Sequence, residues 1–226
     1  MAVILLFLIA PLAACQSAPS PASFVGGVTM TVYAASSLTG AFGEIANMFQ
    51  VANTGTRVII NFAGSQALRT QIEQGAKTDV FASADARNMS LLQTQGQVVG
   101  VPVIFARNRL VVIAPKSNPA GIKELRDLAK PGLKLDIADG SVPVGNYTLE
   151  VLDRLSGNHA YGADFRNQVL ARRLEENDVK QVVSKVALGE ADAGIVYATD
   201  AKATIDKLTT IEIPISSTSS LHIQSQ

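Results

Sequence analysis

Four places in the sequence put donor groups at the first turn of a helix pattern. Ser36 and Ser37 follow the apolar run Val28–Ala35 and open a stretch with Leu38, Phe42, Ile45 and Phe49 on one face. Gly64-Ser65 open a second, with Leu68 and Ile72 one turn apart. Pro143-Val144-Gly145 lead into a third, with Leu149, Leu152 and Leu155. In "EENDVKQVV", Asp178 has the chemistry of an N-cap and Val179 falls in the first turn. A helix N-terminus carries unpaired N–H groups and a positive partial charge of about half an elementary unit. A hydroxyl adds one more donor. If the four ends converge, they form an anion site. Their tips hold one cation among them, Lys180. A site built from neutral dipoles suits a small, fully ionised ligand that only accepts hydrogen bonds, because a protonated ligand needs an acceptor opposite it. Any one of these serines is also an ordinary helix cap. Only the combination points to a ligand.

The elements that must position these ends alternate along the chain. Strand patterns at Val28–Ala35, "RVIINFA", "TDVFASAD", "RLVVIAPK", "KLDIAD" and "DAGIVYATDA" are interleaved with helix patterns. The helices are expected in "SQALRTQIEQG", "NMSLLQTQG", "GIKELRDLAKPG", "GNYTLEVLDRLSG" and "DVKQVVSKVALGE". Such alternation predicts α/β sheets with helical crossovers, as one sheet or two lobes.

Composition removes several function classes. The chain has 226 residues and a formal net charge of zero, so neither a basic footprint for nucleic acid nor an acidic tail is present. Trp is absent and aromatics make up 5%, which leaves no stacking platform for bases or sugars. Residues 1–15, "MAVILLFLIAPLAAC", form an apolar run too short for a membrane-spanning helix of about 20 residues. Their end, Leu12-Ala13-Ala14-Cys15, resembles a bacterial lipobox, which implies lipidation at Cys15 and attachment to a membrane outside the cytoplasm. No Lys or Arg precedes the run, which departs from a standard signal. Cys15 is the sole cysteine, so an internal disulfide and a thiolate metal site are excluded. Residues 16–27, rich in Pro, Ser, Ala and Gly, read as a flexible tether.

The segments "VYAASSLTGAF", "INFAGSQALRTQIEQGAKTDVFASAD", "LVVIAPK", "VPVGNYTLEVL" and "GIVYATDA" together resemble the periplasmic molybdate-binding proteins of ABC importers, in order and spacing, from about Val28 to about Ala201. The resemblance implies a two-lobed α/β binding-protein fold with two crossing strands as hinge and the ligand between the lobes. Lobe 1 is expected at 28–108 plus 198–226, and lobe 2 at 109–197. It implies molybdate or tungstate as ligand, held by Ser37 and Ser65 through hydroxyl and N–H, by Val144 and Val179 through N–H, and by Tyr197 through its phenol. Val144 stands where the family often has Ala, which should matter little to an N–H donor. The implied partner is an ABC permease. No cofactor, no bare metal ion, no enzymatic activity and a monomer are expected. Asp79, Asp85 and Asp200 are read as carboxylates that hold loops and helix starts rather than as metal ligands. The chain ends at "SSTSSLHIQSQ", where the family continues with a further strand and helix, so the last elements of lobe 1 are expected to be missing.

Other readings remain at this stage. Sulfate, phosphate or a ferric complex could occupy the same architecture, although phosphate favours an acceptor or Arg and iron favours paired Tyr and His. A secreted serine hydrolase using Ser37 or Ser65 would need a histidine base. The chain has only His159 and His222, and no Gly-x-Ser-x-Gly elbow.

Overall fold

The computed structural model describes residues 27–214 and the strand at 223–225. Strand β1 (Val28–Ala35) pairs in parallel with β2 (Thr56–Ala63) on one side and β3 (Val80–Ala82) on the other. Helix α1 (Thr39–Ala52) joins β1 to β2, α2 (Ser65–Glu73) joins β2 to β3, and α3 (Ala86–Thr94) follows β3. A second sheet has five strands in the order β7-β6-β8-β5-β9. Its members are β5 (Leu110–Pro115), β6 (Leu135–Ala138), β7 (Arg173–Glu176), β8 (Ala193–Tyr197) and β9 (Leu208–Glu212). β6 runs parallel to β7 and β8, while β5 is antiparallel to both β8 and β9. β4 (Ala106–Asn108), directly before β5 in the chain, pairs antiparallel with β10 (Ile223–Ser225) from the far end of the sequence. α4 (Pro143–Ser156) and α6 (Val179–Leu188) pack on the second sheet, α5 (Phe165–Leu170) packs on α4, and α7 (Ala198–Lys202) follows β8.

The two sheets are unequally packed. β5 is buried at all six positions and β8 at all five, as expected of central strands covered on both faces. With α4 and α6 they form one large apolar cluster. The cluster in the first sheet contains only Val32, Ala34 and Ala82 as buried members. The α1 face read as core-facing is half in solvent: Ile45 is 51% exposed and Phe49 38%. Phe42 from that face stacks at a tilt on Phe105, with ring centroids 5.6 Å apart.

One expectation is corrected. "GIKELRDLAKPG" forms only a 3-10 turn at Leu125–Ala129, not an α-helix. A reciprocal cap between Glu124 and Asp127 starts it there, and Pro131-Gly132 ends it too soon for α-helical bonds to accumulate. β7 and α5 carried no periodic signal and were missed, since β7 is an edge strand with three of its four residues exposed. β9, which the sequence reading put with residues 198–226 in lobe 1, adds to β5 in the second sheet.

Candidate functional site

The four helix starts meet at the C-terminal ends of strands from both sheets. β1 ends at Ala35 and passes through a 3-10 turn, Ser36–Leu38, into α1. Neither serine acts as the cap; the N-cap position is Ala35 and carries no side-chain cap bond. The Ser36 backbone carbonyl accepts from the Thr39 hydroxyl at 2.6 Å. At α2 the N-cap is Gly64, again without a side-chain cap, and Ser65 is the first helical residue. Its hydroxyl accepts from the Ala84 N–H at 2.9 Å, which leaves the hydroxyl proton free to be donated elsewhere. At α4 the N-cap is Val142, and Pro143 occupies the first turn at no cost in hydrogen bonds. Gly145 is required there: a Cβ would fall 2.1 Å from the Asp139 carbonyl oxygen, so only glycine lets α4 start this close to the end of β6. At α6 the Asp178 carboxylate accepts from the N–H groups of Lys180 at 2.7 Å and Gln181 at 3.2 Å. The Val179 N–H, at the first helical position, has no acceptor from the helix itself.

These ends line one small cavity. Its wall is Ala35, Ser36, Ser37, Gly64, Ser65, Ala84, Val142, Pro143, Val144, Val179 and Tyr197. All five residues expected to contact a ligand are in that wall, and no charged side chain is. Ser65 and Val144 are each 1% exposed, Val179 and Tyr197 2%. The cavity is about 10 Å³. That is the room of about one water, so any ion held here needs the walls to move apart slightly.

Tyr197 ends β8 with its hydroxyl enclosed and without a protein partner among the described residues. Burial raises its pKa well above the usual phenol value, helped by Tyr147, Asp85 and Asp200 nearby. It therefore stays protonated, a donor awaiting an acceptor. Lys180, the one cation near the tips, is tied to the buried Asp200 at 2.6 Å. Burial raises the Asp200 pKa, Lys180 opposes the rise, and Asp178 adds to it.

The remaining candidates fall elsewhere. Asp85 caps α3, accepting from the Asn88 N–H at 2.9 Å, and Asp79 accepts from the Thr31 N–H at 2.7 Å. Both hold backbone, as the sequence suggested. His159 is exposed and no histidine lines the cavity, so among the described residues neither serine has a base. Cys15 and His222 lie outside the described residues. Ser36, not among the five expected contacts, also borders the cavity. Sequence reasoning had no signal for Ala84, whose N–H orients Ser65, since only the fold brings position 84 beside position 65.

The model of the bacterial extracellular solute-binding proteins matches residues 30–224. The molybdate-binding protein ModA of Mycobacterium tuberculosis is 41% identical over 212 residues, which cover 92% of this chain and 77% of the relative. The solved periplasmic molybdate-binding protein of Azotobacter vinelandii is 26% identical, with a TM-score of 0.65 over 83% of this chain and 80% of that one. The sulfate-binding protein SubI of Mycobacterium tuberculosis superposes with a TM-score of 0.71 over 81% of this chain and 70% of its own. At 17% identity it shows a shared fold and nothing about the ligand. The two-lobed binding-protein fold is thus the one expected from sequence, and the chain belongs to the bacterial extracellular solute-binding proteins, within them to the ModA-type family.

Proposed function

We propose that this protein binds molybdate or tungstate outside the cytoplasm and hands it to an ABC permease. Ser37 and Ser65 would donate through hydroxyl and N–H, Val144 and Val179 through N–H, and Tyr197 through its phenol. The observation that carries this reading is the unpartnered Tyr197 hydroxyl, buried in a cavity ringed by four helix N-termini and free of charged side chains. Every group offered is a donor, which fits a dianion whose oxygens are all acceptors. A singly protonated phosphate would bring its own donor and find no carboxylate in the wall. Sulfate has the same charge and shape as molybdate in a smaller frame, so cavity size would decide between them. We also place the anchor at Cys15, take the working unit as a monomer, and put the lobe boundary between Asn108 and Arg109 with β9 in lobe 2. Among the described residues no helix is long and apolar enough to cross a membrane.

A thermal melt of the domain, alone and with each anion, tests the ligand. An anion at about 100 times its Kd adds roughly 2.7 kcal/mol, a rise of roughly 5–10 °C for a chain of this size. A rise with molybdate and tungstate but not sulfate supports the reading. A rise with sulfate alone would move the assignment to that anion, and none with any anion would end it.

A further inference from the structure

The cavity has room for about one water, so a four-oxygen anion fits only if α2 and the start of α6 move apart. Ser65 and Val179, one from each helix, are 1% and 2% exposed. Binding and release therefore need these two N-termini to separate. The same two elements are joined by a bond that no ligand supplies. The side-chain amide of Gln66, second residue of α2, donates from Nε2 to the carbonyl of Asn177 at 3.0 Å. Asn177 directly precedes the Asp178 cap of α6. Gly64 leaves both groups room: a Cβ there would sit 2.5 Å and 2.6 Å from the two atoms of the Gln66 amide and 2.7 Å from the Asn177 carbonyl oxygen. The Gln66 Oε1 is buried and has no partner among the described residues, so among them the amide is engaged through its NH₂ alone. Gln66 is not in the cavity wall.

We propose that Gln66 is a latch across the cleft, a positioning residue that holds the Ser65 and Val179 donors together and sets how long the anion stays bound. The proposal rests on the anion-binding reading above. The bond exists only when the cleft is shut, so it acts on escape of the ligand and not on encounter. Gly64 leaves the space that lets the latch close.

The test uses the whole chain, the variants Gln66→Ala and Gln66→Glu, and molybdate or tungstate as the probe. Alanine keeps the helix and removes the amide; glutamate keeps the size and sets a carboxylate against the Asn177 carbonyl. Protein loaded with molybdate is chased with excess tungstate, and retained molybdenum is measured after desalting at intervals. Loss of one net hydrogen bond predicts dissociation faster by about threefold to tenfold in Gln66→Ala, and at least as much in Gln66→Glu, with the association rate unchanged. Melting temperatures without ligand, measured alongside, confirm that both variants fold. Gly64→Ala, which crowds the Asn177 carbonyl, is expected to weaken binding further. Unchanged dissociation in both Gln66 variants, with wild type binding normally, overturns the latch and leaves the anion site standing. Equal slowing of association would assign Gln66 a structural role instead. Wild type that binds neither anion overturns both.

Discussion

The Ser65 hydroxyl accepts from the Ala84 N–H, whereas the Ser37 hydroxyl makes no hydrogen bond to the described residues. Alanine should therefore act differently at the two positions. Ser65→Ala orphans a buried backbone donor and should cost about 1–3 kcal/mol of stability, in addition to weakening anion binding. Ser37→Ala should leave the ligand-free melt within about 0.5 kcal/mol of wild type. Each lost charge-assisted bond should reduce anion affinity by about tenfold to a hundredfold. Calorimetric titration and ligand-free melts measure the two effects separately. Val179 allows a backbone donor to be deleted cleanly. It is the first residue of α6, where proline fits, and Asp178 before it has φ −161° and ψ 166°, the extended form that a residue before proline prefers. Val179→Pro should keep the helix and the Asp178 cap and still lower anion affinity about tenfold. If affinity is unchanged, the Val179 N–H does not face the ligand.

Strand β6 carries the least comfortable group among the elements. Asp136 is fully buried at its centre, and neither carboxylate oxygen has a partner among the described residues. Burial pushes its pKa up to about 6; Glu176 and Glu190 add to this and Lys185, itself paired to Glu176, opposes it. The unfolded chain ionises near 3.8, so between about 4 and 6 the folded state binds more protons. Stability contributed by the neutral acid is then lost as pH rises through that window, a penalty on the order of 1–3 kcal/mol above it. Asp136→Asn should remove the difference: the gap between variant and wild-type melting temperatures should widen in favour of the variant from pH 5 to pH 8. A gap independent of pH would mean that Asp136 is not ionising in this range. The strands themselves were legible because β5 and β8 are apolar throughout and sit between covered faces. The helix starts were legible because Ser37, Ser65 and Asp178 mark them chemically. Edge strand β7 was not, since "RLEE" has only Glu176 turned inward. Nor was the exposure of α1, because a periodic apolar face records what a helix could cover and not what the fold lays against it. The Gln66 bond to Asn177 joins residues 111 positions apart, a separation at which no local pattern operates.

At the scale of the molecule, charge is arranged so that the cavity meets an anion with dipoles alone. The chain's net charge is zero, no charged side chain lines the cavity, and the nearby Lys180 is neutralised by Asp200, which is 1% exposed. A site using an exposed cation draws its ligand through a field that salt screens. Buried dipoles at helix ends are screened much less. Anion affinity should therefore change less than about threefold between about 0.05 and 0.5 M sodium chloride. It should also stay flat from about pH 7 to 9, because Tyr197 is held far above its usual pKa and remains a donor throughout. Asp200→Asn supplies the contrast. It leaves the Lys180 ammonium, on the residue after Val179, without its partner, and should make affinity both higher at low salt and dependent on salt. Equilibrium dialysis against labelled molybdate at two salt concentrations reads both proteins. A wild-type affinity that fell steeply with salt would mean that Lys180 reaches the ligand despite its bond to Asp200, and the site would then count as a charged one.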